Sequence, residues 1–221
     1  PSVLVGDFLY SRAFQLMVEI GNLNIMKILS DATNLIAEGE VMQLANLGNF
    51  SLSVDSYRKV INCKTALLFE SATHSAGVLA MSKSSKVKEE QVKSIRSYGH
   101  HFGMAYQLID DLLDYVGSKT IMGKNTGDDL SEGKLTLPII LALAKTSGRK
   151  KNSLLHALKQ KSSANLEEIV EIITSSGAIE DTRKAALHEI EQAREHLLHL
   201  PENEYRKALE SLTEYSADRI F

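Results

Sequence analysis

One helix-period stretch with two opposed faces constrains this chain more than any other feature. Around Gly103-Met104-Ala105-Tyr106-Gln107-Leu108-Ile109-Asp110-Asp111-Leu112-Leu113-Asp114, the residues Phe102, Ala105, Tyr106, Ile109, Leu112, Leu113 and Val116 recur at three- and four-residue steps and form an apolar face. Gly103, Gln107, Asp110, Asp111 and Asp114 recur at the same steps on the other side. Three carboxylates within one turn repel each other, and a fold keeps them there most readily if a cation neutralises them. The alternative is an ordinary solvated acidic face. Gln107, one turn before Asp111, favours a site, because a solvated face more typically carries Lys or Glu at such a position.

The rest of the chain is helical in pattern. Helices are predicted over residues 3 to 20, 23 to 46, about 53 to 80 and 87 to 116. Further helices are predicted from Thr136-Leu137-Pro138 to about residue 147, and over 152 to 160, 165 to 176, 178 to 199 and 202 to 221. Gly21-Asn22, Gly48-Asn49, Gly177 and Pro201 mark the ends, and Asn165 with Glu168 has the spacing of a capping box. No strand-period run competes, and only three prolines interrupt 221 residues. The length suits one all-α domain with a large core. A formal net charge of −3 gives no case for a nucleic-acid partner. Cys63, the only cysteine, excludes a disulfide framework and a thiolate zinc site. With no apolar run of membrane-spanning length and no signal peptide, the chain reads as cytoplasmic, or as a mitochondrial-matrix protein in a eukaryote. It begins Pro1-Ser2-Val3 without Met and reads as the remainder of a longer protein.

Two further features bear on the carboxylates. The segment 117 to 134 is the least helical in the chain and combines Gly117, Gly123, Gly127 and Gly133 with Lys119, Lys124 and Lys134, a backbone free to approach an anion closely. Asp128, Asp129 and Glu132 lie between the lysines, so this is no simple basic patch. Lys64 lies three and four residues before Leu67 and Leu68 and is expected on their face, where it either snorkels to water or points into a polar cavity. Magnesium prefers hard oxygen ligands and commonly bridges one or two carboxylates to substrate phosphates. Asp110, Asp111 and Asp114 therefore need not enclose an ion, because a phosphorylated substrate can complete its shell and lysines can hold the remaining oxygens.

Tyr106-Gln107-Leu108-Ile109-Asp110-Asp111-Leu112-Leu113-Asp114-Tyr115 resembles the second aspartate-rich motif of the trans-isoprenyl diphosphate synthases, and residues Gly123 to Pro138 resemble the family's adjoining downstream segment. Lys64-Thr65 is similar to that family's Lys-Thr pair, while Gly6-Asp7-Phe8-Leu9 and Glu38-Gly39-Glu40 are similar to its long-chain, octaprenyl-type branch. The resemblance covers nearly the whole chain to about residue 145. It implies an isoprenoid-synthase-type helical bundle around a central cavity, usually a homodimer, that adds isopentenyl diphosphate to an allylic diphosphate with Mg²⁺. By motif, Asp110, Asp111 and Asp114 would bind Mg²⁺. Lys64, Lys124 and Lys134 would hold diphosphate or add positive charge beside it, and Thr65 and Gln107 would stabilise the allylic cation. Phe8, Phe14 and Met17 are candidates for a hydrophobic tunnel wall, with ordinary core packing as the alternative for each. The product would be a long-chain polyprenyl diphosphate of octaprenyl type, serving quinone side chains. A shorter-chain synthase and a non-catalytic subunit of a heteromeric synthase are the alternatives. Nothing in the chain matches the family's first aspartate-rich motif or its isopentenyl diphosphate residues, so the N-terminal helices are expected to be missing and the chain alone to be inactive.

Overall fold

The computed structural model describes residues 2–116, 127–162 and 164–219. In chain order the helices are α1 (Ser2–Ile20), α2 (Leu23–Ala45), α3 (Val54–Ile61), a π-helical turn (Asn62–Ala66), α4 (Leu67–Lys83) and α5 (Glu89–Val116). They are followed by α6 (Asp128–Glu132), α7 (Leu137–Lys145), α8 (Gly148–Gln160), α9 (Leu166–Ser175), α10 (Ala178–Leu197) and α11 (Glu204–Asp218). No strand occurs among the described residues. The all-α expectation holds, and most boundaries fall within a few residues of the sequence pattern.

Local chemistry sets many of those boundaries. The side chain of Asn22 accepts from the backbone N–H groups of Asn24 and Ile25 and starts α2. Ser53 does the same for α3 through Ser56, and Asn203 for α11 through Arg206. Gly21 and Gly177, at φ of +66° and +77°, separate consecutive helices in a conformation that disfavours other residues. Two local expectations fail. The Asn165 side chain makes no cap hydrogen bond, and Glu168 instead accepts from Ser153 on α8. Helix α8 begins at Gly148 rather than near residue 152, because Ser147 and Gly148 form its entrance instead of a break.

Helix α5 is the axis of the bundle. It packs against α4 and the π turn on one side and against α10 on another, while α2 closes over α4 and α10 carries α7 and α11. Surrounded in this way, α5 encloses Leu108, Ile109 and Leu112 fully, while Tyr106 and Val116, expected on the apolar face, stay exposed at its edges. Of the acidic stripe, Asp111 is only 3% exposed, and Asp110 and Asp114 are partly buried.

An ionic node joins three helices away from the carboxylates. Glu189 on α10 is almost fully buried, accepts from Arg58 on α3, and has His101 Nδ1 of α5 at 2.8 Å. Burial alone would raise the Glu189 carboxyl, but His101 and Arg58 outweigh it and leave the group below 4.5. A lowered carboxyl stabilises the fold above the unfolded value and loses that contribution as pH falls through the folded one. Glu189→Gln should thus destabilise the protein by about 2–4 kcal/mol near neutral pH. The gap to wild type should close as pH falls below 4.5, as read from urea melts at a series of pH values.

Candidate active site

A cavity of about 190 Å³ lies where five segments meet. Gln43 and Asn46 approach from the end of α2, Tyr57 and Val60 from α3, Lys64 from the π turn, Gln107, Asp110 and Asp111 from α5, and Asp129, Lys134 and Thr136 from the segment after α6 begins. The sequence pattern assigns Lys64, Gln107, Asp110, Asp111 and Lys134 to the site, and the fold brings all five to one cavity. Thr65 joins them by donating from Oγ1 to Gln107 Oε1 at 2.7 Å.

Lys64 lies on the π turn, beside buried Ala66, while Leu68 is 54% exposed. In the cavity its Nζ donates to Gln43 Oε1 at 2.8 Å and lies 3.3 Å from Glu40. Two glycines clasp this turn. A Cβ on Gly39 would lie 2.8 Å from Cys63 Cβ and 3.0 Å from the Lys64 nitrogen, and one on Gly103 would lie 2.6 Å from Ala66 Cα. Helices α2 and α5 can approach the turn this closely only because both positions lack a side chain.

The three aspartates of α5 have different surroundings. Asp110 lines the cavity. Asp111 accepts from the Tyr57 hydroxyl at 2.5 Å on one oxygen and from Gln107 Nε2 at 2.7 Å on the other. Asp114 accepts the backbone N–H groups of Asp128 and Asp129, both at 3.2 Å, and so anchors α6. Asp110 and Asp111, being adjacent, point about 100° apart, while Asp114 lies one turn further along the helix, where α6 meets it. Among the described residues, no group of three or more His, Cys, Asp or Glu side chains is arranged to hold a metal by itself.

The electrostatics reflect crowding of negative charge. Burial pushes the Asp111 carboxyl up to about 7, with Asp129 and Asp110 adding to the rise and the Tyr57 and Gln107 hydrogen bonds opposing it. Asp114 is raised to about 6 by burial and Asp129, against the two backbone donors. Lys134 makes ion pairs with Glu132 at 2.7 Å and Asp129 at 3.2 Å. These pairs outweigh its burial and hold its ammonium above the usual range. Asp129 thus both lines the cavity and places Lys134.

Lys124, the remaining expected diphosphate ligand, lies outside the described residues. Phe8, Phe14 and Met17 do not line the cavity. On α1, Phe8 is 67% exposed, Phe14 is half-buried with its ring 4.9 Å from that of Tyr10, and Met17 is buried. Tyr57, Gln43, Asn46 and Thr136 line the cavity without belonging to the residues assigned from sequence. A signal exists for Tyr57, which precedes Lys64 by seven residues, two helical turns.

Comparison with known proteins bears on the same site. The family model for polyprenyl synthetase matches residues 1–174. The chain is 42% identical over 219 residues to an all-trans-nonaprenyl-diphosphate synthase (geranyl-diphosphate specific) of Rhodobacter capsulatus, and 41% identical over 219 residues to the octaprenyl diphosphate synthase of Escherichia coli K12. Each match covers 99% of this chain and 66% of the relative, so the chain spans about two thirds of the length of these curated relatives. Its fold matches a crystal structure of a polyprenyl synthase from Caulobacter crescentus CB15 complexed with calcium and isoprenyl diphosphate, with a TM-score of 0.90 and 39% identity over 100% of this chain and 66% of that one.

Proposed function

Because the chain belongs to the polyprenyl synthetase family, we propose that the whole protein is a trans-polyprenyl diphosphate synthase, a prenyltransferase that joins isopentenyl diphosphate to an allylic diphosphate. The observation that carries this reading is the convergence of Lys64, Gln107, Asp110 and Lys134, from three separate parts of the chain, on one cavity.

The side chains divide the work. Lys64 and Lys134 present ammonium groups to the allylic diphosphate, and Lys124 is assigned the same role from its motif. Both placed lysines are held by acceptors, Lys64 by Gln43 and Glu40 and Lys134 by Asp129 and Glu132, so their donors are oriented before substrate arrives. Gln107 and Thr65 stabilise the positive charge that develops on the allylic carbon as the diphosphate leaves. Their dipoles do so without supplying a strong nucleophile. The double bond of isopentenyl diphosphate attacks that carbon, and a proton is then lost.

The donor set fits a hard divalent cation. Asp110, Asp111 and Asp129 line the cavity with carboxyl oxygens, and Asp114 lies one turn beyond Asp110, where it holds the start of α6. Diphosphate oxygens and water would complete the cation's coordination. Magnesium bound there would neutralise the leaving diphosphate and promote ionisation.

A long-chain product, of octaprenyl type for quinone side chains, is the version best supported, since the relatives at 41–42% identity are an octaprenyl and a nonaprenyl synthase. Helix α1 exposes Val3, Leu4, Phe8 and Leu9. This apolar run fits a homodimer contact, and Phe8 within it, with Phe14 and Met17 further along α1, remains the proposed tunnel wall. Retention of all three α5 aspartates disfavours a non-catalytic subunit. No described helix is long and apolar enough to cross a membrane.

The test is product formation by the full-length protein. With Mg²⁺, farnesyl diphosphate and labelled isopentenyl diphosphate, it should yield an all-trans polyprenyl diphosphate, and a chelator should stop the reaction. Absence of any elongated product across a panel of allylic primers would refute the assignment.

A further inference from the structure

The polar chain across the cavity has a direction, and its origin lies in a residue outside every motif. The Thr65 hydroxyl donates to Gln107 Oε1 at 2.7 Å, Gln107 Nε2 donates to Asp111 Oδ1 at 2.7 Å, and the Tyr57 hydroxyl donates to Asp111 Oδ2 at 2.5 Å. A glutamine amide has a donor end and an acceptor end of nearly the same shape, so its neighbours decide which way it faces. Here the Asp111 carboxylate demands the donor end and Thr65 takes the acceptor end. Asp111 lies one turn from Gln107 on the same helix, and its carboxylate can rotate about its terminal torsion. The partner that fixes that rotation comes from another helix. Tyr57 on α3 is 3% exposed and lines the cavity.

We propose that Tyr57 is a positioning residue for prenyl transfer, acting through Asp111 to hold the Gln107 amide in the orientation that faces Thr65 and the reacting carbons. The inference rests on the function proposed above. Without the hydroxyl, one Asp111 oxygen loses its donor, the carboxylate turns, and the Gln107 dipole loses its fixed direction.

Tyr57→Phe in the full-length protein should lower kcat about ten- to thirtyfold. KM for both diphosphates should stay within about twofold, because neither lysine is disturbed. A purely structural hydroxyl would instead lower the melting temperature and leave kcat per folded molecule intact. The decisive readout is a double-mutant cycle. In a Gln107→Ala background, Tyr57→Phe should lower kcat by less than about twofold, since the group it orients is gone. Equal losses in both backgrounds, wild-type kcat in the single variant, or loss of the fold on removing this one oxygen would each overturn the proposal. Wild-type protein that makes no polyprenyl product would overturn the proposed function and this inference together. Wild-type turnover with an unaffected Tyr57→Phe would overturn this inference alone.

Discussion

Asp110→Ala in the full-length protein should lower elongation of farnesyl diphosphate by at least about a thousandfold, with the fold intact. The expectation rests on position: Asp110 lines the cavity together with Lys64, Asp111 and Asp129. On the proposed reading, removing its carboxylate withdraws a hard oxygen ligand from the place where charge develops on the leaving diphosphate. The loss should appear in kcat more than in KM, because the lysines proposed to hold the ground-state diphosphate remain. Wild-type turnover in this variant would exclude Asp110 as a metal ligand.

Gly103→Ala should act through packing and still damage the site. Its Cβ would lie 2.6 Å from Ala66 Cα and 3.1 Å from the Ala66 carbonyl oxygen, both backbone atoms. Backbone cannot rotate away as a side chain can, so α5 and the π turn must separate. Overpacking of this kind costs about 2–3 kcal/mol, even though alanine is the better helix former. For a domain of this size that is a fall of roughly 5–10 °C in melting temperature. Lys64 and Thr65 sit on the turn that moves, so kcat should fall about tenfold or more in the molecules that remain folded. Gly6→Ala is the matching control. Nothing lies within 4 Å of a Cβ there, and the change should be neutral or slightly stabilising in a thermal melt. Equal behaviour of the two variants would mean that the close approach of α5 to the turn is unimportant.

Asp110 and Gly103 mark the boundary between what is legible in the sequence and what is not. The α5 aspartates and Gln107 stand out in the sequence because their types recur at helical spacing, whereas Lys64 and Lys134 are singled out by a Lys-Thr pair and a Gly/Lys-rich segment that resemble the family's motifs. Helix boundaries are identifiable because Asn22, Ser53, Gly21 and Gly177 act on their immediate neighbours. The different use of Asp110, Asp111 and Asp114 is not, because it depends on partners such as Tyr57, 54 residues away from Asp111. The π turn Asn62–Ala66 has no local signature, since its five residues read as ordinary helix. Only its packing between Gly39 and Gly103 shows why the register shifts there.

The most direct test of the central claim, a cation-diphosphate site built on α5 and the π turn, is calorimetric titration of the full-length protein with a non-ionising allylic thiodiphosphate. Binding should require Mg²⁺, weaken about tenfold or more in Lys64→Ala and lose its Mg²⁺ dependence in Asp110→Ala. Tight binding without Mg²⁺, unchanged in both variants, would contradict the claim.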